Sequence, residues 1–312
     1  MNGLCIFMRP QNLWDFALTK KINQNPPERN RSVRAGNNMK IIHLILITSL
    51  LYSCVVNKKS KKENQLIESE IVKPEFQSII DSNNINGSIL IYDLKKELYY
   101  SNDFNWAKTG RLPASTFKIA NSIIALETKV VESDSTLFKW NGEKRAYKSW
   151  EQDLRLRDAF HFSCVPCYQE VAKKIGEKRM NEYLEKLEYD DMKVSSKNLD
   201  IFWLAGESKI NQFQQIDFLK RFFNSELEIS KRTEDIMKRI ILIEENEKYK
   251  LSGKTGLSIR NGNNNGWFVG YLESNNSIYF FATNIEPKEG LDKGLFPKLR
   301  KDITLIALKL ME

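Results

Sequence analysis

The sequence predicts an α+β protein: an antiparallel sheet flanked by helices, with a helical lobe inserted between its strands. Three observations carry that expectation. Strand-like residues come early, at Gly87 to Asp93 and Glu97 to Asn102. Strand character then returns only at Lys248 to Leu257, Gly266 to Glu273 and Ser277 to Asn284. Between the two sets, Asp134 to Asn224 spaces its apolar residues largely as helices do. Strands from both ends of the chain therefore share one sheet, with helices packed around it.

Element by element, helix signals open at Pro74-Glu75-Phe76 and run to about Asp81. The first two strands are joined by a turn at Leu94-Lys95-Lys96, which makes an antiparallel hairpin. Pro113 precedes a helix from about Ser115 to Glu127, because proline is tolerated at a first helical turn. The lobe contains Pro166 to Ile175, a break at Gly176, Glu177 to Leu187 and later Asn211 to Asn224. A turn rich in Asn and Gly separates the first two late strands. Gly294 to Met311 closes the chain as an amphipathic helix, and no internal repeat is present.

The 312 residues, 41% apolar and 28% charged, are ordinary for a globular protein, which excludes a disordered chain. The net charge of +8 does not indicate nucleic acid: residues 1–54 carry seven Lys or Arg against two acidic residues, and no basic stripe interleaves with aromatics. The prefix reads better as targeting. Met39-Lys40 precedes Ile41 to Leu51, mostly apolar, too short to span a bilayer but suited to a secretory signal. It ends in Leu51-Tyr52-Ser53-Cys54, which resembles the lipobox of bacterial lipoproteins, where cleavage before the cysteine leaves a lipidated residue. The expected organisation is residues 1–38 as an upstream extension or long leading region, 39–53 as a lipoprotein signal, 54–73 as lipidated Cys54 with a polar tether, and 74–312 as the catalytic domain. Such a protein would be periplasmic and attached to the membrane by its lipid.

With Cys5 removed and Cys54 acylated, Cys164 and Cys167 remain, either as a disulfide or as small packing groups. His43 lies in the signal and His161 stands alone, so no metal site is expected.

Four short motifs carry chemistry: Ser115-Thr116-Phe117-Lys118, Ser163-Cys164-Val165, Phe202-Trp203-Leu204 and Lys254-Thr255-Gly256. Ser115 and Lys118 lie three apart, so in a helix they share a face. A serine hydroxyl is a weak nucleophile until a base takes its proton, and Lys118 is the nearest candidate; a Ser-His-Asp arrangement would rest on His161 alone. Desolvation among Phe117, Ile119, Val165 and Leu204 would favour a neutral amine. Lys254 and Thr255 can bind an anion, Gly256 lets a ligand approach the strand backbone, and Arg300 can share the same carboxylate. Plainer alternatives stand beside these: Lys118 reaching solvent, Trp203 and Val165 as ordinary core, Ser163 capping the helix begun at Pro166, and Lys254 solvated on an edge strand.

Taken together and in this order, with Leu299-Arg300-Lys301 near the end, the motifs resemble those of the class D β-lactamases, the oxacillinases, from about residue 75 onward. The resemblance implies the serine β-lactamase and penicillin-binding transpeptidase-like fold, and hydrolysis of β-lactams through an acyl-enzyme on Ser115. It implies that Lys118 is carbamylated to N6-carboxylysine and acts as general base, so that CO2 or bicarbonate is the one small molecule required. Trp203 would then hold the carbamate in a pocket lined by Phe117, Val165 and Leu204. Ser163 would relay a proton to the leaving nitrogen. Lys254, Thr255, Gly256, Leu257 and Arg300 would bind substrate, with the backbone N–H groups of Ser115 and Leu257 as the oxyanion hole. One motif departs: Tyr189-Asp190-Asp191 stands where the family commonly has Tyr-Gly-Asn. A β-lactam sensor and a D-alanyl-D-alanine peptidase are the alternatives that share these motifs. The expected partners are a β-lactam and a membrane surface, with the chain as monomer or homodimer.

Overall fold

The computed structural model describes residues 70–189, 191–260, 263–275, 277–292 and 294–311. The expectations for residues 1–38, for the signal and for Cys54 lie outside them. A seven-stranded sheet is the frame. Its strands are β1 (Glu70–Val72), β2 (Ile85–Asp93), β3 (Leu98–Ser101), β6 (Leu242–Glu245), β7 (Tyr249–Arg260), β8 (Asn263–Ser274) and β9 (Ile278–Pro287), in the spatial order β1-β3-β2-β9-β8-β7-β6. Every pairing is antiparallel except β1 with β3, where Ile71 faces Tyr100 in parallel register, so the sheet is mixed at that edge. β1 is made from residues that the sequence assigns to the tether, and the folded part thus starts before Pro74. A separate two-stranded ribbon, β4 (Leu137–Phe138) with β5 (Leu154–Arg155), sits in the inserted region.

Alternation along the strands separates two cores. Ile89, Ile91, Phe281 and Ile285 point to one face, where α1 (Pro74–Ser82) brings Phe76 and Ile80 and the last helix, α9 (Phe296–Lys309), brings Ile303 and Ala307. Leu90, Tyr92, Phe280 and Ala282 point to the other face, under the helical lobe. The lobe follows α2 (Phe104–Lys108) and holds α3 (Lys118–Glu127), α4 (Leu156–His161), α5 (Val165–Ile175), α6 (Glu177–Lys186), α7 (Gln212–Phe223) and α8 (Lys231–Ile241). The pattern foretells α5, α6 and α7 to within about two residues. It leaves out α8, whose mostly charged sequence begins under a Ser230 cap on the N–H of Thr233. In α3, Lys118 through Leu126 are all buried, so this helix is the axis of the lobe rather than a surface element.

Candidate active site

The chain leading to the nucleophile is tied to the sheet. Leu112 C=O accepts from both Asn265 Nδ2 and Trp267 Nε1 of β8, each at 2.8 Å. Pro113 then starts a 3₁₀ turn, Ala114–Phe117, in which Ala114 takes a left-handed φ of 49°, a conformation that alanine adopts only where its surroundings enforce it. Thr116 supplies part of that enforcement: its Oγ1 donates to Pro113 C=O at 2.7 Å and accepts from Gln215 Nε2 of α7 at 2.9 Å. β7 lies against the other side of the turn. A Cβ built on Gly256 would meet Pro113 O at 3.1 Å and Thr116 N at 3.3 Å. Gly256→Ala is therefore expected to push the strand off the nucleophile turn and lower kcat/KM by about tenfold, measured in steady state, with a folded circular-dichroism spectrum.

The 3₁₀ turn runs straight into α3, which puts Lys118 Nζ 3.0 Å from Ser115 Oγ. Ser115 is 7% exposed and Lys118 not at all. Burial alone brings the Lys118 ammonium down to about 7, so near neutral pH a large share of these lysines are free amines that can accept the hydroxyl proton. The alternative in which Lys118 reaches solvent is thus overturned. Around it stands an aromatic wall: the Phe117 ring packs on Phe202 at 4.9 Å, Trp203 at 5.7 Å and Tyr189 at 5.8 Å. The Tyr168 ring lies 5.0 Å from Lys118 Nζ and shares a 2.7 Å hydrogen bond with Ser122 through its hydroxyl. Val165 and Leu204 pack into the same cluster. Trp203 Nε1 is buried with no acceptor among the described residues.

Lys254 faces this chamber from β7. Its ammonium donates to Ser163 Oγ at 2.5 Å and to Thr255 C=O at 2.9 Å, and sits 5.5 Å from the Phe160 ring. It is buried rather than solvated on an edge, and β7 is flanked by β6 and β8. Burial, then the positive charges of Lys118 and Arg300, holds its pKa well below that of an ordinary lysine. Arg300 reaches in from α9 to donate through Nη1 to Gly256 C=O, while its Nε is buried without a partner among the described residues. Desolvation lowers it to about 10, against the opposing influence of Tyr147. Leu257, half-buried on β7, pairs with Gly266 of β8. Ser163 is not the helix cap: Cys164 Sγ accepts from Cys167 N at 3.3 Å and fills that position at the start of α5. The two cysteines form a disulfide, which resolves the choice between bridge and packing groups.

All four motifs and Arg300 are therefore linked by contacts around the Ser115 turn, where β7 meets the start of α3. Sequence reasoning misses Gln215, which acts on the nucleophile turn across 99 residues and leaves no local signal. It also misses Asn121 and Tyr168. Asn121 is buried one turn after Lys118, with neither polar atom of its side chain partnered among the described residues. A polar residue at a core position of an apolar helix is the signal that would have found it.

Comparison with known proteins gives the family. Residues 55–301 match the penicillin binding protein transpeptidase domain. The chain is 37% identical to β-lactamase OXA-48 of Klebsiella pneumoniae over 217 residues, which is 70% of this chain and 82% of that one. With OXA-10 of Pseudomonas aeruginosa it shares 38% over 65% of this chain and 77% of the relative. The crystal structure of a class D β-lactamase from Nostoc superposes with a TM-score of 0.72 at 39% identity, covering 76% of this chain and 98% of that one. The chain belongs to the class D β-lactamases. As a serine enzyme of that family it hydrolyses β-lactams. Within the departing motif, this β-lactamase keeps Tyr189 as an aromatic-wall residue, and Asp191 takes a left-handed φ of 60°, which Asn and Asp both tolerate; Asp190 lies outside the described residues.

Proposed function

We propose that this class D enzyme works with Lys118 carbamylated, Ser115 as nucleophile and the Lys254, Thr255 and Arg300 edge as the anchor for the β-lactam carboxylate. The observation that carries this reading is a fully buried amine, 3.0 Å from the serine hydroxyl, together with the indole N–H of Trp203, stacked on Phe117 and buried with no acceptor among the described residues. An orphaned buried donor is costly, and an oxygen-rich anion on Lys118 would give it a partner. The charge balance supports the same modification, because Lys118, Lys254 and Arg300 are neighbouring basic groups, and burial first, then the charges of Lys118 and Arg300, lower the Lys254 pKa. Carbamylation joins the neutral amine to CO2 and releases one proton; the resulting anion supplies a base for both the hydroxyl and the deacylating water.

Each residue then has a task. Ser115 attacks the lactam carbonyl as its proton leaves toward Lys118. The N–H groups of Ser115 and Leu257 take the developing oxyanion. Ser163, bonded to Lys254, returns a proton to the departing nitrogen. Trp203, Phe117, Val165 and Leu204 keep water from displacing CO2. Arg300→Ala is expected to raise KM for penicillins by about tenfold with a smaller change in kcat, since it removes one charged contact to the substrate. Purified protein with a chromogenic cephalosporin, with and without bicarbonate, tests the whole reading. Turnover that rises with bicarbonate supports it; one-to-one labelling of Ser115 without turnover would overturn it in favour of a sensor or peptidase. Lipidation at Cys54 is part of the proposal and rests on the apolar Ile41 to Leu51 stretch and the lipobox-like ending, with the intact mass of the exported protein as its test.

A further inference from the structure

We infer that the Cys164–Cys167 disulfide is a positioning device for the reaction, holding the Ser163-Cys164-Val165 motif in the one shape that serves Lys254 on one side and the Lys118 chamber on the other. The bridge begins at the central residue of that motif. Immediately before it, Ser163 has a left-handed φ of 53° without being glycine, and its hydroxyl in that shape meets Lys254. Immediately after it, Val165 packs into the cluster that includes Phe117 and Trp203. A strained residue and a wall residue are thus locked on either side of one half-cystine.

The surroundings are built around the bridge. Both cysteines are buried. Arg145 Nη1 lies 3.9 Å from Cys164 Sγ and donates to Trp150 C=O at 3.0 Å, while Trp150 Nε1 donates to Phe162 C=O at 2.8 Å. On the inner side, Ser163 N donates to Phe160 C=O at 3.1 Å and Cys164 N to Ala159 C=O at 2.9 Å. The loop that the bridge closes is so short that constraint of the unfolded chain is near its smallest, which leaves local geometry as the main contribution.

This inference rests in part on the carbamate reading, and its test separates the two. Wild type, Cys164→Ser/Cys167→Ser and reduced wild type, the last verified by mass, are titrated with 13C-bicarbonate well below their melting temperatures. The carbamate carbon is followed by NMR, with kcat and KM measured in parallel. Losing the bridge is expected to raise half-saturating bicarbonate by about tenfold and lower kcat by a similar factor at nearly constant KM, the size of effect that relaxing a left-handed residue implies. Reoxidation of the reduced protein should restore both. An unchanged titration and unchanged kcat, with only a lower melting temperature, would make the bridge a staple and overturn the inference. Absence of any carbamate signal in wild type would refute the modification instead; the inference would then stand or fall on kcat alone. If the double variant does not fold, reduced and reoxidised wild type carry the comparison.

Discussion

Lys118→Met is expected to lower kcat for penicillins by about 10³-fold or more, the upper part of what a positioned general base contributes. Methionine is the informative replacement because it is unbranched and of similar length, so the chamber under Phe117 and Tyr168 stays filled and no large cavity opens. The stability readout goes the other way from the activity. The wild-type side chain has its pKa lowered from 10.5 to about 7, so between those values the unfolded chain holds a proton that the folded one has released. By linkage, folding stability then rises with pH through that window, and the penalty for the buried lysine is fully felt below about pH 7. The methionine variant lacks this slope. Its melting temperature should equal or exceed that of wild type at pH 6, with the difference shrinking toward pH 10. A variant that keeps most of its turnover would remove Lys118 from the chemistry.

The second large effect is that of pH and carbonate on wild type. Only the free amine combines with CO2, and the combination releases a proton. Below about pH 7 the free fraction falls about tenfold per pH unit, so at fixed dissolved CO2 kcat is expected to drop by about 100-fold or more between pH 7 and pH 5. Added bicarbonate at constant pH should recover much of the loss by mass action. The measurement is a pH profile of kcat at two carbonate levels. A profile flat down to pH 5, or one indifferent to carbonate, would mean that the base is something other than a carbamylated lysine.

Most of the frame and the four site motifs are legible because each is local. The 115–118 spacing fixes a helical face, runs rich in β-branched and aromatic residues mark β2 and β9, and Pro166 marks the start of α5. Charge hides α8, where the helix is amphipathic but mostly polar. The parallel pairing of β1 is hidden for another reason: a three-residue strand is recognisable only by what it lies beside. Within the site, sequence identifies what Ser115, Lys118 and Lys254 are, but not the left-handed turns at Ala114 and Ser163 that aim them, since neither position carries the glycine that would advertise such a backbone. Gln215 and the Cys164–Cys167 bridge likewise become meaningful only once distant segments or a specific loop shape are in place.

The complete enclosure of Lys118 also selects what can reach it. Bicarbonate is a hydrated ion, and carrying it bare into an aromatic interior would incur the full cost of stripping its water. A dissolved gas molecule, linear and uncharged, meets no such barrier. On the proposed reading, recovery of a protein emptied at low pH is therefore paced by dehydration in bulk solution, and a trace of carbonic anhydrase should shorten the lag without touching the final rate.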